Sequence, residues 1–215
     1  MAAPKLVGKV TEAFFEGKTE ATAPTLPTGV VSGDWLLLLV NAGVDDTEDE
    51  VTSSWAGATS VLAPLRVEKA EANLKAFMLQ YTGTTLPKVI FSRESEGVLL
   101  MFGLSAKGNL TTSGFSAFTA SKTAPKTVSV TPTLPALVFS IVIQTEGHQP
   151  QEPTEGWQEL TPPNTNFQWA VAAKEVAAKT ASGEATWENS STEAYGVATL
   201  AVEEAAASTF LAMIL

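Results

Sequence analysis

The sequence predicts an all-β protein, a jelly-roll-like sandwich of two packed sheets built from pseudo-repeated halves. Three observations lead there. The first is the run Trp35-Leu36-Leu37-Leu38-Leu39-Val40, unbroken in apolar character and approached through the turn residues Pro27, Gly29 and Gly33. It is too short to cross a bilayer and too uniformly apolar for an amphipathic helix, so it reads as a strand buried on both faces. The second is a similar run, Leu137-Val138-Phe139-Ser140-Ile141-Val142-Ile143, again entered through a Leu-Pro pair at Leu134-Pro135. The third is a shared order of features in the two halves. Leu26-Pro27, Trp55, Phe77 and Gly97-Val98 in the first are echoed by Leu134-Pro135, Trp157, Trp169 and Gly196-Val197 in the second, although Leu86-Pro87 has no counterpart.

Taken in order, Leu6 to Phe15 alternates loosely and predicts a first strand, closed by a turn at Glu16-Gly17-Lys18. After the first central strand, Asn41-Ala42-Gly43 is expected to begin a loop. In Ala72 to Tyr81, a strand would set Leu74, Ala76 and Met78 on one face and Lys75, Phe77 and Leu79 on the other. A helix over Glu68 to Leu79 is the alternative, because Glu, Lys, Ala and Leu favour it. Val89-Ile90-Phe91 predicts a short strand, Ser92 to Gly97 a polar loop, and Val98 to Leu104 a strong strand.

Lys107 to Ser121, rich in Gly, Ser, Thr and Asn, has the composition of a long connection and divides the chain into halves of about 1–106 and 122–204. Thr127-Val128-Ser129-Val130 then alternates strictly. Gly147 to Pro153 reads as a polar loop and Ala194 to Val202 as the closing strand; Phe167 to Ala178 is read as a strand because Phe167, Trp169 and Val171 alternate, with a short helix as the alternative because its Ala and Lys favour one. About a hundred residues per half leaves too few strong strands for two independent sandwiches, so one sandwich over residues 1–204 with interleaved halves is expected. Residues 205–215 form an apolar tail.

Composition bounds the function. At 215 residues the chain can bury about 70% of its unfolded surface, enough for a core without staples. There is no cysteine and one histidine, which excludes disulfides, thiolate catalysis and metal sites built on several imidazoles. Thirteen basic against twenty-three acidic residues give a net charge of −10, the wrong sign for neutralising phosphates, so no nucleic-acid partner is expected. Residues 1–10 lack a signal-peptide apolar core and no run reaches eighteen apolar residues. The expectation is therefore a protein made in a cytoplasm, with no membrane partner. Charged residues are 17% of the chain, well under the usual quarter, which suits surfaces that meet other subunits.

No chemistry stands out. Asp45, Asp46, Glu48, Asp49 and Glu50 could in principle hold calcium, but the glycine that turns an EF-hand loop is missing, so a solvated acidic loop is expected. Glu94 with Glu96 and Glu152 with Glu155 are the nearest approach to paired glycosidase carboxylates, and nearness in sequence does not set two carboxyls across a sugar. His148 has no linked nucleophile motif and reads as a surface residue. Catalytic, cofactor and metal residues are accordingly expected to be none. Among the five tryptophans, Trp35 reads as core, and Trp55, Trp157, Trp169 and Trp187 are candidates for sugar-stacking platforms, with core packing as the alternative.

The lead-in Pro27, Gly29, Gly33-Asp34 before Leu36-Leu37-Leu38-Leu39-Val40, the stretch Glu155-Gly156-Trp157-Gln158-Glu159-Leu160, and the closing Val197-Ala198-Thr199-Leu200-Ala201-Val202 together resemble the minor tail proteins of actinobacterial phages. The resemblance covers most of the chain and implies a non-enzymatic β-sandwich component of a bacteriophage virion, with capsid decoration protein as the alternative role. It implies other virion proteins as partners, a homo-oligomer, and no catalytic residues. A glycan-binding module contacting the host cell wall is the second functional expectation. The tail residues Phe210, Leu211, Met213, Ile214 and Leu215 are costly to leave in water, each large side chain by about 1.5 to 3 kcal/mol. Two destinations are open to them, the chain's own domain and, as assembly contacts, a neighbouring subunit.

Overall fold

In the computed structural model, which describes residues 2–43, 51–62, 65–66, 73–119, 124–144, 151–161, 169–188 and 195–205, the apolar run at Trp35 is the middle of an antiparallel sheet. The strands are β1 (Lys5–Ala21), β2 (Trp35–Gly43), β3 (Ser53–Trp55), β4 (Thr59–Ser60), β5 (Leu65–Arg66), β6 (Asn73–Gln80) and β7 (Val89–Ser105), followed by β8 (Leu110–Thr119), β9 (Ala136–Gln144), β10 (Gln151–Pro153), β11 (Gln158–Glu159), β12 (Trp169–Val176), β13 (Trp187–Glu188) and β14 (Tyr195–Glu204). No helix occurs among the described residues. The first sheet has the order β1-β7-β2-β6-β4, with β3 also on β7 and β5 also on β6. The second has the order β11-β12-β9-β14-β8, and β10 and β13 form a separate ribbon.

The two apolar runs are the central strands, and each is buried on both faces. Leu36 to Val40 are fully covered. Leu37 and Leu39 face a core shared with Leu137, Phe139, Ile141 and Ile143 of β9, while Leu36, Leu38 and Val40 face an outer layer. Phe102 of β7 and Phe139 of β9 meet edge to face across the sheets, with centroids 5.5 Å apart. Burial on both faces explains why neither run alternates: every position along it is an interior position.

Each outer face is covered by its own half of the chain. Over the first sheet, Phe15, Val51, Trp55, Val89 and Phe91 pack on Leu36, Leu38 and Met101, and the rings of Phe15 and Phe91 stack at 4.6 Å. Over the second, Trp157, Ala185 and Trp187 pack on Val138, Val142 and Ala170. A buried polar network ties down this second cover. The Trp187 Nε1–H donates to Ser140 Oγ at 3.0 Å, Ser140 Oγ lies 3.1 Å from Thr127 Oγ1, and the Ala185 N–H donates to Thr127 Oγ1.

The segment Asn73–Gln80 is a strand rather than a helix, with Leu74, Ala76 and Met78 toward the other sheet and Phe77 and Leu79 outward. Other expectations are corrected. Asn41-Ala42-Gly43 still belongs to β2, Asn41 and Ala42 paired with both β6 and β7 and Gly43 with β7. Glu16-Gly17-Lys18 is not a turn: β1 continues to Ala21, and Gly17, at φ +57°, sits where the pairing shifts register. Ser92 to Gly97 is not a loop, because its polar residues lie within β7, where Ser95 pairs with Lys18. The stretch read as a connection contains the ten-residue β8, held as an edge by β14 along its whole length. Its Thr and Phe content suits a strand, and its Gly and Ser content hid that. In Thr127-Val128 the alternation is inverted, with Thr127 buried and Val128 39% exposed, because Thr127 serves the polar network.

The halves do not interleave. Sheet one uses residues 5–105 and sheet two residues 110–204, whereas the jelly-roll-like path expected of the sequence would carry each half through both sheets. Each half holds a central strand, its neighbours and its own outer cover, and each is closed by pairing its first strand with its last, Lys5 opposite Ser105 in one and Leu110 opposite Glu204 in the other. Phe77 and Trp169 are also not equivalent. Phe77 lies mid-strand opposite Leu38 and faces outward, while Trp169 begins β12 opposite Ile143 and faces the shared core.

Candidate functional site

All four candidate sugar-stacking tryptophans are buried. Trp55 is 3% exposed and donates its Nε1–H to the Pro87 carbonyl at 2.8 Å; Trp169 and Trp187 are 2% and 0% exposed. Trp157 is 8% exposed, and the Lys174 ammonium stands 5.7 Å from its ring centroid. A stacking platform needs a ring face open to solvent, so these side chains are corrected to packing elements. Trp35 is half-buried, and its Nε1 has no hydrogen-bond partner among the described residues.

Other expected sites divide between placed and unplaced residues. Glu94 and Glu96 lie two apart on β7, Glu94 exposed and Glu96 half-buried, and Glu155 is exposed beside the turn at Gly156. Among the described residues no three acidic or imidazole groups gather into a possible metal site. His148, the acidic run from Asp45 to Glu50, and the tail residues Phe210, Leu211, Met213, Ile214 and Leu215 lie outside the described residues.

The sequence reading missed a concavity between the two sheets. A cleft of about 680 Å³ lies between the edge strand of one sheet and the edge strand of the other, lined on one side by Leu6, Gly8, Lys9 and Val10 of β1 and on the other by Gln158 and Glu159 of β11 with Leu160 and Thr161. Phe102 reaches it from the shared core. Its origin is a bulge in β1. Val7 pairs with Gly103 and Thr11 with Met101, so Gly8, Lys9 and Val10 all stand opposite Phe102 alone. Gly8 adopts φ +70°, and a Cβ there would sit 2.2 Å from the Thr28 carbonyl oxygen. Only glycine allows the chain to swing out at this point. A glycine interrupting a strand pattern was the available signal.

The floor is apolar, since Leu6, Val10 and Leu160 pack on the shared core, and the rim is polar. Thr161 is already engaged, its Oγ1 accepting the Val171 N–H at 3.1 Å. Among the described residues β1 is paired on one side, with β7, and β11 with β12. Such an arrangement suits recognition of an extended apolar segment. A smaller cleft of about 350 Å³ adjoins it along β1, lined by Ala2, Ala3, Lys5, Ser105, Ala106, Lys107 and Glu204.

Comparison of the chain with protein-family models, with curated proteins and with solved structures returned no match.

Proposed function

We propose that the chain is a non-enzymatic structural component of a bacteriophage virion, a minor tail protein by its resemblance to that family. The observation that carries the reading is where the resembling residues stand. Gly33 and Asp34 form the turn that starts β2: the Gly33 N–H donates to the Tyr81 carbonyl and Asp34 Oδ2 accepts the Val31 N–H. Leu36 to Val40 and Val197 to Val202 are buried strand. The resemblance is thus carried by scaffold-building residues, as suits a protein whose task is to be a rigid part among other virion proteins and copies of itself.

The proposal extends to the architecture, a sandwich of pseudo-repeated halves. Written from the same edge, the sheets run β1-β7-β2-β6-β4 and β8-β14-β9-β12-β11, so in both the last strand of the half inserts between its first strand and its central one. Two halves with one connectivity, packed face to face, are what a duplicated unit would produce.

The test is the location of the chain in particles of a phage that encodes it, by proteomics of purified virions and labelling in electron micrographs. Label along or at the end of the tail is the expected result. Label over the head would replace the tail assignment with capsid decoration, and absence of the chain from purified particles would overturn the structural reading altogether.

A further inference from the structure

The geometry points to an occupant for the cleft between β1 and β11: the apolar segment Phe210–Leu215 of the same chain, lying along it as an added strand. Three features of the fold lead to this. The chain leaves the second sheet at Ala205, whose N–H donates to the Asn109 carbonyl at 2.7 Å. The residue before it, Glu204, lines the smaller cleft together with Ala2, Ala3 and Ala106 and the polar Lys5, Ser105 and Lys107, so the exit opens onto that cleft. The smaller cleft borders the larger one on β1, where Lys5 lines one and Leu6 the other.

The lengths agree. Glu203 pairs with Ala136, and Ala136 with Val176, so the end of β14 is level with the end of β12. From β14 to β11 the path crosses β9 and β12, about 14 Å at the usual strand spacing. Five extended residues beyond Ala205 span about 17 Å, which brings Phe210 to the mouth of the cleft. The residues from there to Leu215 cover about another 17 Å. The cleft itself lies against Ala172 and Ala173 of β12, the partners of Glu159 and Gln158, three or four residues in from the strand end and about 10 to 13 Å along it.

The chemistry agrees too. Phe210-Leu211-Ala212-Met213-Ile214-Leu215 carries no charged side chain, and the cleft floor of Leu6, Val10, Phe102 and Leu160 is apolar. The edge of β1 that faces away from β7 has no strand partner among the described residues, so its main-chain groups can take an added strand. A tether of a few residues gives the segment a millimolar effective concentration at its own cleft, which favours the same copy over a neighbour.

The chain has no cysteine, so the inference can be tested by disulfide trapping in the isolated 215-residue chain. Met213→Cys is combined with Lys9→Cys at the cleft, or with Ser113→Cys on the opposite edge strand β8 as a control, and each protein is mildly oxidised. The expected result is an intramolecular link, monomeric on a non-reducing gel, forming at least tenfold faster for the Lys9→Cys pair than for the Ser113→Cys pair. Equal rates, or no link at the cleft in a protein with an unchanged circular dichroism spectrum, would overturn it. So would a mixture of Met213→Cys and Lys9→Cys single variants that cross-links into dimers as fast as the double variant closes on itself, because the occupant would then be a neighbour's segment.

Discussion

Replacing Ser140 by alanine tests how the outer face of the second sheet is held. Ser140 is fully buried in the middle of β9, and its Oγ accepts the Trp187 Nε1–H at 3.0 Å while lying 3.1 Å from Thr127 Oγ1. Thr127 keeps other partners in the variant, since the Ala185 N–H still donates to it. Trp187 does not: its indole N–H would be left in a site with no exposed surface. An orphaned buried donor costs about 1–3 kcal/mol, and the lost Ser140–Thr127 bond adds about 0.5–1 kcal/mol, so a loss of about 1.5–4 kcal/mol is expected. For a chain of this size that lowers Tm by about 3–16 °C. The Trp187→Phe variant separates the hydrogen bond from the packing. It loses indole volume but removes the donor, so the double variant should be about 1–2 kcal/mol more stable than the sum of the single losses predicts. Urea unfolding of the four proteins measures the cycle. Additivity within about 0.5 kcal/mol, or a Ser140→Ala variant as stable as the parent, would refute the claim that this network fastens the cover.

Gly97→Ala should be among the most damaging single-methyl changes, because Gly97 has φ +152° and the new Cβ would stand 2.0 Å from the Asn41 carbonyl oxygen in the β2 backbone. A loss of about 3 kcal/mol or more is expected, against about 1–2 kcal/mol for Gly17→Ala, where the backbone is left-handed but nothing lies within 4 Å; equal losses in thermal melts would show that the close approach of β7 to β2 is not what requires glycine. Lys5→Ala removes the ion pair with Glu175 that bridges the two sheets, yet both side chains are about half exposed, at 53% and 55%. The change should cost no more than about 1 kcal/mol and vanish in high salt, and a loss above about 2 kcal/mol would mean that the pair closes that edge of the sandwich.

The legible part of the fold was the part written in burial. Leu36 to Val40 and Leu137 to Ile143 announce themselves because a strand covered on both faces has no position at which a polar residue is cheaper, and Leu74, Ala76 and Met78 alternate with Phe77 because each face of β6 meets a different apolar layer. What lay beyond the sequence were features set by partners distant along the chain. Ser92 to Gly97 is strand because β1 and β2 flank it, with Ser95 opposite Lys18 and Gly97 between Phe15 and Ala42, and β8 is strand because β14 supplies its hydrogen bonds. Thr127 is buried only because Ser140 and Ala185 wait beneath it, and four tryptophans suited to binding are consumed by packing.

The cleft belongs to the same class. Gly8 could be read as a possible bulge, but that the bulge falls opposite Phe102, facing the short edge strand of the other sheet, follows from how the sheets stack. By itself the sequence determined that the protein is β-rich, centred on two doubly buried strands, and without the residues of thiolate or multi-imidazole chemistry. Which half forms which sheet, and where the sandwich leaves an opening, were decided by long-range pairing, because main-chain hydrogen bonding is the same for every residue type but proline and leaves little mark in composition.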